Sequence, residues 1–102
     1  MKLIDATKII RSKNADPFTL TIDILFDNRE YYEKVRESGV LNAELFAKHY
    51  KRPIEDVQFF EFDAASAFKA TFKRRFPSGN IGDNDVYGCQ QHAPLMDIEV
   101  PI

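Results

Sequence analysis

From Phe18 the chain alternates strictly, with Phe18, Leu20, Ile22, Ile24 and Phe26 on one side and Thr19, Thr21 and Asp23 on the other. A period of two is that of a half-buried strand, so a strand is predicted from Phe18 to Phe26. Upstream, Leu3, Ile4, Thr7, Ile10 and Arg11 recur at helical spacing. They predict a short N-terminal helix that ends before the polar run Ser12-Lys13-Asn14-Ala15-Asp16-Pro17, where Pro17 disfavours helical backbone at Asp16.

Past Phe26 the period lengthens. Asp27, followed three residues later by Glu30, resembles a helix start that satisfies the first free backbone N–H groups. Tyr31, Val35 and Ser38 follow, and Gly39 supplies the stop. A second helix start falls at Asn42, with Leu45, Phe46 and His49 on one face, Tyr50 nearby and Pro53 closing the segment. The Phe-rich run Val57 to Asp63 reads as a strand. The next stretch fits two templates: Phe68, Phe72 and Phe76 are four apart, as on a helix, whereas Phe68, Ala70 and Phe72 alternate with Lys69, Thr71 and Lys73. A turn at Asp63 to Ser66 and a strand from Ala67 to about Arg75 is the preferred reading, because the outward basic alternation persists until Pro77. Residues Pro77 to Asp85 concentrate loop formers. Met96, Ile98 and Val100 alternate with Asp97 and Glu99, predicting a last strand at a sheet edge where acids discourage pairing with other chains. The elements together predict an α+β chain, without repeats or low-complexity tracts.

Composition narrows the class. A chain of 102 residues supports one core and is too short for two. With 44% hydrophobic and 29% charged residues it is expected to be ordered nearly end to end. Its formal charge of −2 supplies no global field for phosphate backbones, so no nucleic acid is expected as a partner. Cys89 stands alone, which excludes an intrachain disulfide and favours a reducing compartment. Asp5 interrupts any apolar signal run, and no stretch reaches the ~20 apolar residues of a membrane span. A cytoplasmic protein with no membrane contact is the expectation.

The densest polar chemistry lies in Asp83-Asn84-Asp85-Val86-Tyr87-Gly88-Cys89-Gln90-Gln91-His92. His92 with Asp83 or Asp85 can serve as acid and base, while Tyr87, Gln90 and Gln91 can orient a polar ligand. The alternative is structural: the same side chains satisfy backbone groups in a turn and at a sheet edge. Cys89 and His92 are three apart, and His49 is the only other imidazole. A zinc site would therefore lack a second ligand pair, and no metal or cofactor is expected. Arg11, Ser12, Lys13 and Asn14 form a plausible seat for a carboxylate or phosphate, against the alternative that the cations match a helix C-terminal dipole. Lys69, Lys73, Arg74 and Arg75 form the strongest basic cluster, with Lys69, Lys73 and Arg75 lining one strand face. That face suits solvent, a coenzyme phosphate or an acidic partner. Gly79-Asn80-Ile81-Gly82 lacks the Lys-Ser/Thr of a phosphate loop, so nucleotide hydrolysis is not suggested.

Ile10-Arg11-Ser12-Lys13-Asn14-Ala15, the Phe18 to Phe26 strand, Pro77-Ser78-Gly79 and the string from Gly82 to Leu95 resemble a bacterial and fungal family of about this length. That family is a domain of unknown function related to the acyclic terpene utilisation protein A. Cys89 stands where the family pattern leads one to expect a small residue, which makes it a poor catalytic candidate. More distantly the chain is similar to the small ferredoxin-fold domain that ends the larger acyclic-terpene-utilisation proteins. The resemblance implies a ferredoxin-like two-layer sandwich, a mostly antiparallel four-stranded sheet with helices on one face. It also implies an accessory subunit that docks on a large acyclic-terpene-utilisation-type protein, within a hydratase- or lyase-like assembly acting on carboxylic acids or their CoA esters. A homo-oligomeric binding module, or a small enzyme with its site between identical chains, are the alternatives.

Overall fold

The computed structural model describes residues 1–16, 18–73 and 95–102. In chain order the elements are α1 (Leu3–Ala6), β1 (Ile9–Asp16), β2 (Thr19–Leu25), α2 (Arg29–Ser38), α3 (Ala43–Tyr50), β3 (Gln58–Phe62) and β4 (Ala67–Lys73). Single 3-10 turns at Ile54–Asp56 and Asp63–Ala65 precede β3 and β4. The strands lie in the order β1-β2-β4-β3, and every neighbouring pair is antiparallel. β2 and β3 therefore run parallel, joined through α2 and α3, with β4 inserted between them. This is the split β-α-β unit. The result is a mixed α+β fold consistent with the expected ferredoxin-like sandwich.

The inner face follows from the alternation. Leu20, Ile22 and Ile24 of β2 pair with Phe72, Ala70 and Phe68 of β4, and all six are buried. Tyr32 and Val35 of α2 and Phe46 of α3 cover them. The Tyr32 ring lies 4.9 Å from Phe68, and Phe46 lies 5.8 Å from Phe59 and 6.5 Å from Phe72. Burying a large apolar side chain contributes about 1.5–3 kcal/mol, so this aromatic layer is the main fastening between helices and sheet.

Four expectations are corrected. The N-terminal helix stops at Ala6, and Ile10 to Asn14 belong to β1. Pairing of β-branched Ile9 and Ile10 with Leu25 and Ile24 outweighs a helical spacing that only a few residues supported. Phe18 is not on the core face: it is 61% exposed. It sits at the hairpin tip, beyond the last β1–β2 pair Asp16↔Thr19, with its N–H donated to Asp16 at 2.8 Å. The cap of α2 is Asn28 rather than Asp27, its side chain accepting from the Tyr31 N–H at 3.2 Å. Finally, Met96 to Val100 form no strand of the sheet. The segment runs beside residues 1–4, with one bridge between Lys2 and Glu99 and a bond from the Leu3 N–H to the Ile98 carbonyl at 2.7 Å. Asp97 pairs with Lys2 at 3.2 Å, so these acids bind basic groups near the N-terminus instead of guarding an edge.

The other elements follow the pattern. Asn42 caps α3 through the Leu45 N–H at 2.8 Å, and Gly39 ends α2 in the left-handed conformation at φ 69°. His49 is exposed, while Phe46 on the same helix is fully buried.

Candidate functional site on the open face of the sheet

Residues paired across an antiparallel ladder share a face, and the side chains along each strand alternate. The register therefore sets out the surface opposite the helices. One row runs Ile9, Leu25, Ala67, Phe62. The next runs Arg11, Asp23, Lys69, Phe60, and the third Lys13, Thr21, Thr71, Gln58. Beyond these Thr19 faces Lys73.

Arg11 Nε lies 3.1 Å from Asp23 Oδ2, and in the third row the hydroxyls of Thr21, which is buried, and Thr71, which is half-buried, stand 3.5 Å apart. The outward positions of β1, β2 and β4 thus hold Arg11, Lys13, Lys69 and Lys73 against Asp23, with Asp16 at the hairpin tip engaged by the Phe18 N–H. The face is net positive on a chain whose formal charge is −2. Among the described residues no carboxylate forms an ion pair with Lys13 or Lys73. Such a surface attracts carboxylates, phosphates and acidic protein segments.

The expected Arg11 to Asn14 seat is divided by this geometry. Arg11 and Lys13 reach the open face, whereas Ser12 and Asn14 turn to the helix side, Ser12 being buried opposite Ile22. Because the segment is a strand, its cations do not face a helix C-terminus. Lys69 and Lys73 join Arg11 and Lys13 on one surface although nearly sixty residues separate the two groups in sequence. Arg74 and Arg75 lie outside the described residues, as do Asp83, Asp85, Tyr87, Cys89, Gln90, Gln91 and His92.

A second polar cluster escaped sequence reasoning. Arg29, Tyr32 and Arg36 project from one side of α2 toward Asp63. The Tyr32 hydroxyl donates to Asp63 Oδ1 at 2.5 Å, and Arg36 Nη1 approaches both carboxylate oxygens at 3.3 Å. Arg29 donates to the Asp63 carbonyl and to Ser66 Oγ, and its guanidinium lies 5.0 Å from the centre of the Tyr32 ring. Burial, then the hydrogen bond and charge of Asp63, push the Tyr32 phenol up to about 12. The Tyr32 hydrogen bond, helped by Arg36 and Arg29, holds the Asp63 carboxyl below its ordinary range. These groups satisfy one another, so the cluster clamps α2 to the turn before β4 and offers no free acid or base. Its sequence signal was the spacing of Arg29, Tyr32 and Arg36 on one helix side, but nothing local to α2 identified Asp63 as the partner.

A shallow hollow of about 290 Å³ beside α3 is lined by Val40, Asn42, Glu44, Leu45, Lys48 and His49. It is small and open for a ligand pocket, and Asn42 is already spent on the helix cap. Among the described residues no three His, Cys, Asp or Glu side chains are placed to hold a metal, and no helix is long and apolar enough to cross a membrane.

Comparison with known families gives a match. A family model described as a domain of unknown function, DUF4387, covers residues 3–99, and the chain belongs to that family. No curated protein and no solved structure matches the chain.

Proposed function

We propose, from the resemblance of the sequence to the acyclic-terpene-utilisation proteins and from the chemistry of the open face, that the domain is an accessory subunit of a larger hydratase- or lyase-like assembly. On this reading it acts on carboxylic acids or their CoA esters together with a large acyclic-terpene-utilisation-type protein. Lys13 and Lys73, beside Arg11 and Lys69 on the same surface, lend positive charge to a shared site, where a substrate carboxylate or a CoA phosphate is held. The carrying observation is the register that gathers cations from β1 and β4 onto one surface of an acidic chain. Asp83, Asp85 and His92 as acid and base, with Tyr87, Gln90 and Gln91 as ligand contacts, enter this reading through the sequence alone. A domain with so little interior does not readily enclose a substrate by itself, which supports a site completed by another chain.

The test is co-expression with the large protein, followed by solution mass and by binding of CoA and short branched carboxylates to the complex. A stable hetero-complex that binds them, with affinity lowered at least tenfold in Lys13→Glu/Lys73→Glu, is expected. A complex that binds them equally well with both lysines reversed overturns the shared-site role. The exposed Ile9, Phe60 and Phe62 are also the apolar surface that a second reading, a homo-oligomeric binding module, would bury. The same mass measurement would then give a tight homo-oligomer indifferent to the large protein.

A further inference from the structure

The open face is divided along its strands. At one end Ile9, Leu25, Ala67 and Phe62 stand side by side across all four strands, and Phe60 meets Phe62 at 6.3 Å between ring centroids. Ile9 is 41% exposed, Phe60 43% and Phe62 48%, so this apolar strip stays open while its neighbours in the row are half-buried or buried. Arg11, Asp23 and Lys69 border it. Lys13 lies four residues along β1 from Ile9, about 13 Å at ~3.3 Å per residue.

We infer that the apolar end of this face docks an amphipathic helix of a partner protein, its apolar stripe covering Ile9, Phe60 and Phe62 and its flanking carboxylates meeting Arg11 and Lys69. The inference rests on the accessory-subunit reading and adds the surface and the chemistry of the partner. An antiparallel sheet with helices on one side gains a third layer when an apolar helix stripe covers the other. The row from Ile9 to Phe62 crosses three strand spacings of ~4.8 Å, about 14 Å, long enough to lie under a helix about 10–12 Å across. Charge selects the occupant. The border, two cations against the Asp23 carboxylate that Arg11 already pairs, is net positive on a net-negative chain, which complements carboxylates, whereas pairing with a second copy through this face would set one positive face against another. Docking at this end leaves Lys13 and Lys73 uncovered for an anionic ligand.

The experiment uses the full chain and a fluorescent amphipathic helical peptide carrying a leucine stripe flanked by glutamates. Binding is followed by anisotropy, and its location by amide chemical shifts. Saturable binding that perturbs the amides around Ile9, Phe60 and Phe62 is expected. Affinity should fall at least tenfold in Ile9→Ser/Phe62→Ser and when the peptide glutamates are replaced by lysines. Both substituted positions are exposed, and an unchanged spectrum for the rest of the sheet verifies folding. The inference is overturned by no binding, by equal binding of the lysine peptide, or by indifference to the double substitution. Self-association that the double substitution abolishes, with no peptide binding, would assign the surface to a second copy and also overturn it. Lys13→Glu/Lys73→Glu should change peptide affinity less than threefold. Loss of docking in Ile9→Ser/Phe62→Ser while anions fail to bind the assembly would refute the shared site and leave the docking surface standing. Intact anion binding with no peptide docking would do the reverse.

Discussion

The two faces of one sheet are built from the same alternating strands and have opposite fates. Toward the helices, Phe68, Phe72, Ile22 and Ile24 meet Tyr32, Val35 and Phe46 and lose nearly all contact with water. Away from them, Arg11, Lys13, Lys69 and Lys73 surround the hydroxyls of Thr21 and Thr71, of which Thr21 alone is buried, and Ile9, Phe60 and Phe62 remain exposed beside them. Alternation dictates only that the faces differ. What covers each face determines whether its side chains contribute stability or remain available for binding.

The largest test of this contrast is Phe68→Ala on the closed face. It should cost about 3–5 kcal/mol of unfolding free energy in chemical denaturation, because the surrounding rings relax only partly into the gap. If the cost is no greater than that of Phe60→Ala, the distinction between the faces collapses. Asn42→Ala should cost about 1 kcal/mol by removing the acceptor for the Leu45 N–H, measurable in the same titration.

The Asp63 clamp sharpens the contrast through pH. Its folded-state pKa lies below the ordinary 3.8, so the unfolded chain binds protons more readily at this position. The stability it adds is present above that ordinary value and is lost as the pH falls through the folded pKa. Asp63→Asn should therefore flatten the acid limb of the stability profile, with little change in its shape near neutrality. A steep acid limb that survives the substitution would place the titrating group elsewhere. Tyr32 has the opposite sign: with its pKa raised from 10.0 to about 12, its contribution is complete below the first value and lost as the pH rises through the second. Tyr32→Phe should remove that alkaline loss.

The smallest expected effect is on the open face. Lys13→Glu or Phe60→Ser should alter unfolding free energy by no more than ~0.5 kcal/mol, since neither side chain is buried. A larger loss would show that the open face is part of the core after all.

Much of the scaffold was legible where a period persisted over several residues. β2 and β4 carried it through Leu20, Ile22, Ile24 and Phe68, Ala70, Phe72, and α3 was marked by Asn42. β1 was misread because Leu3, Ile4, Thr7 and Ile10 fit a helical spacing locally, while its strand state depends on pairing with β2. The C-terminal segment alternates as a strand would, yet its partners are residues 1–4. Of the candidate site, Arg11 and Lys13 were legible as part of the polar run Arg11 to Asn14 and Lys69 and Lys73 as a basic strand face. Their union was not, because a ladder between distant segments leaves no trace in either one.

Element types followed from the residues alone wherever apolar spacing and caps agreed, since side-chain direction follows from backbone period. Which strands became neighbours was settled in three dimensions. Burial of one face against Tyr32, Val35 and Phe46 set the register of the sheet. That register brought Arg11 opposite Asp23 and Asp23 opposite Lys69, and left Ile9, Phe60 and Phe62 facing outward. The physical reason is that a cross-strand contact depends on chain segments far apart in sequence meeting in one alignment, and that alignment is chosen by the core on the opposite side.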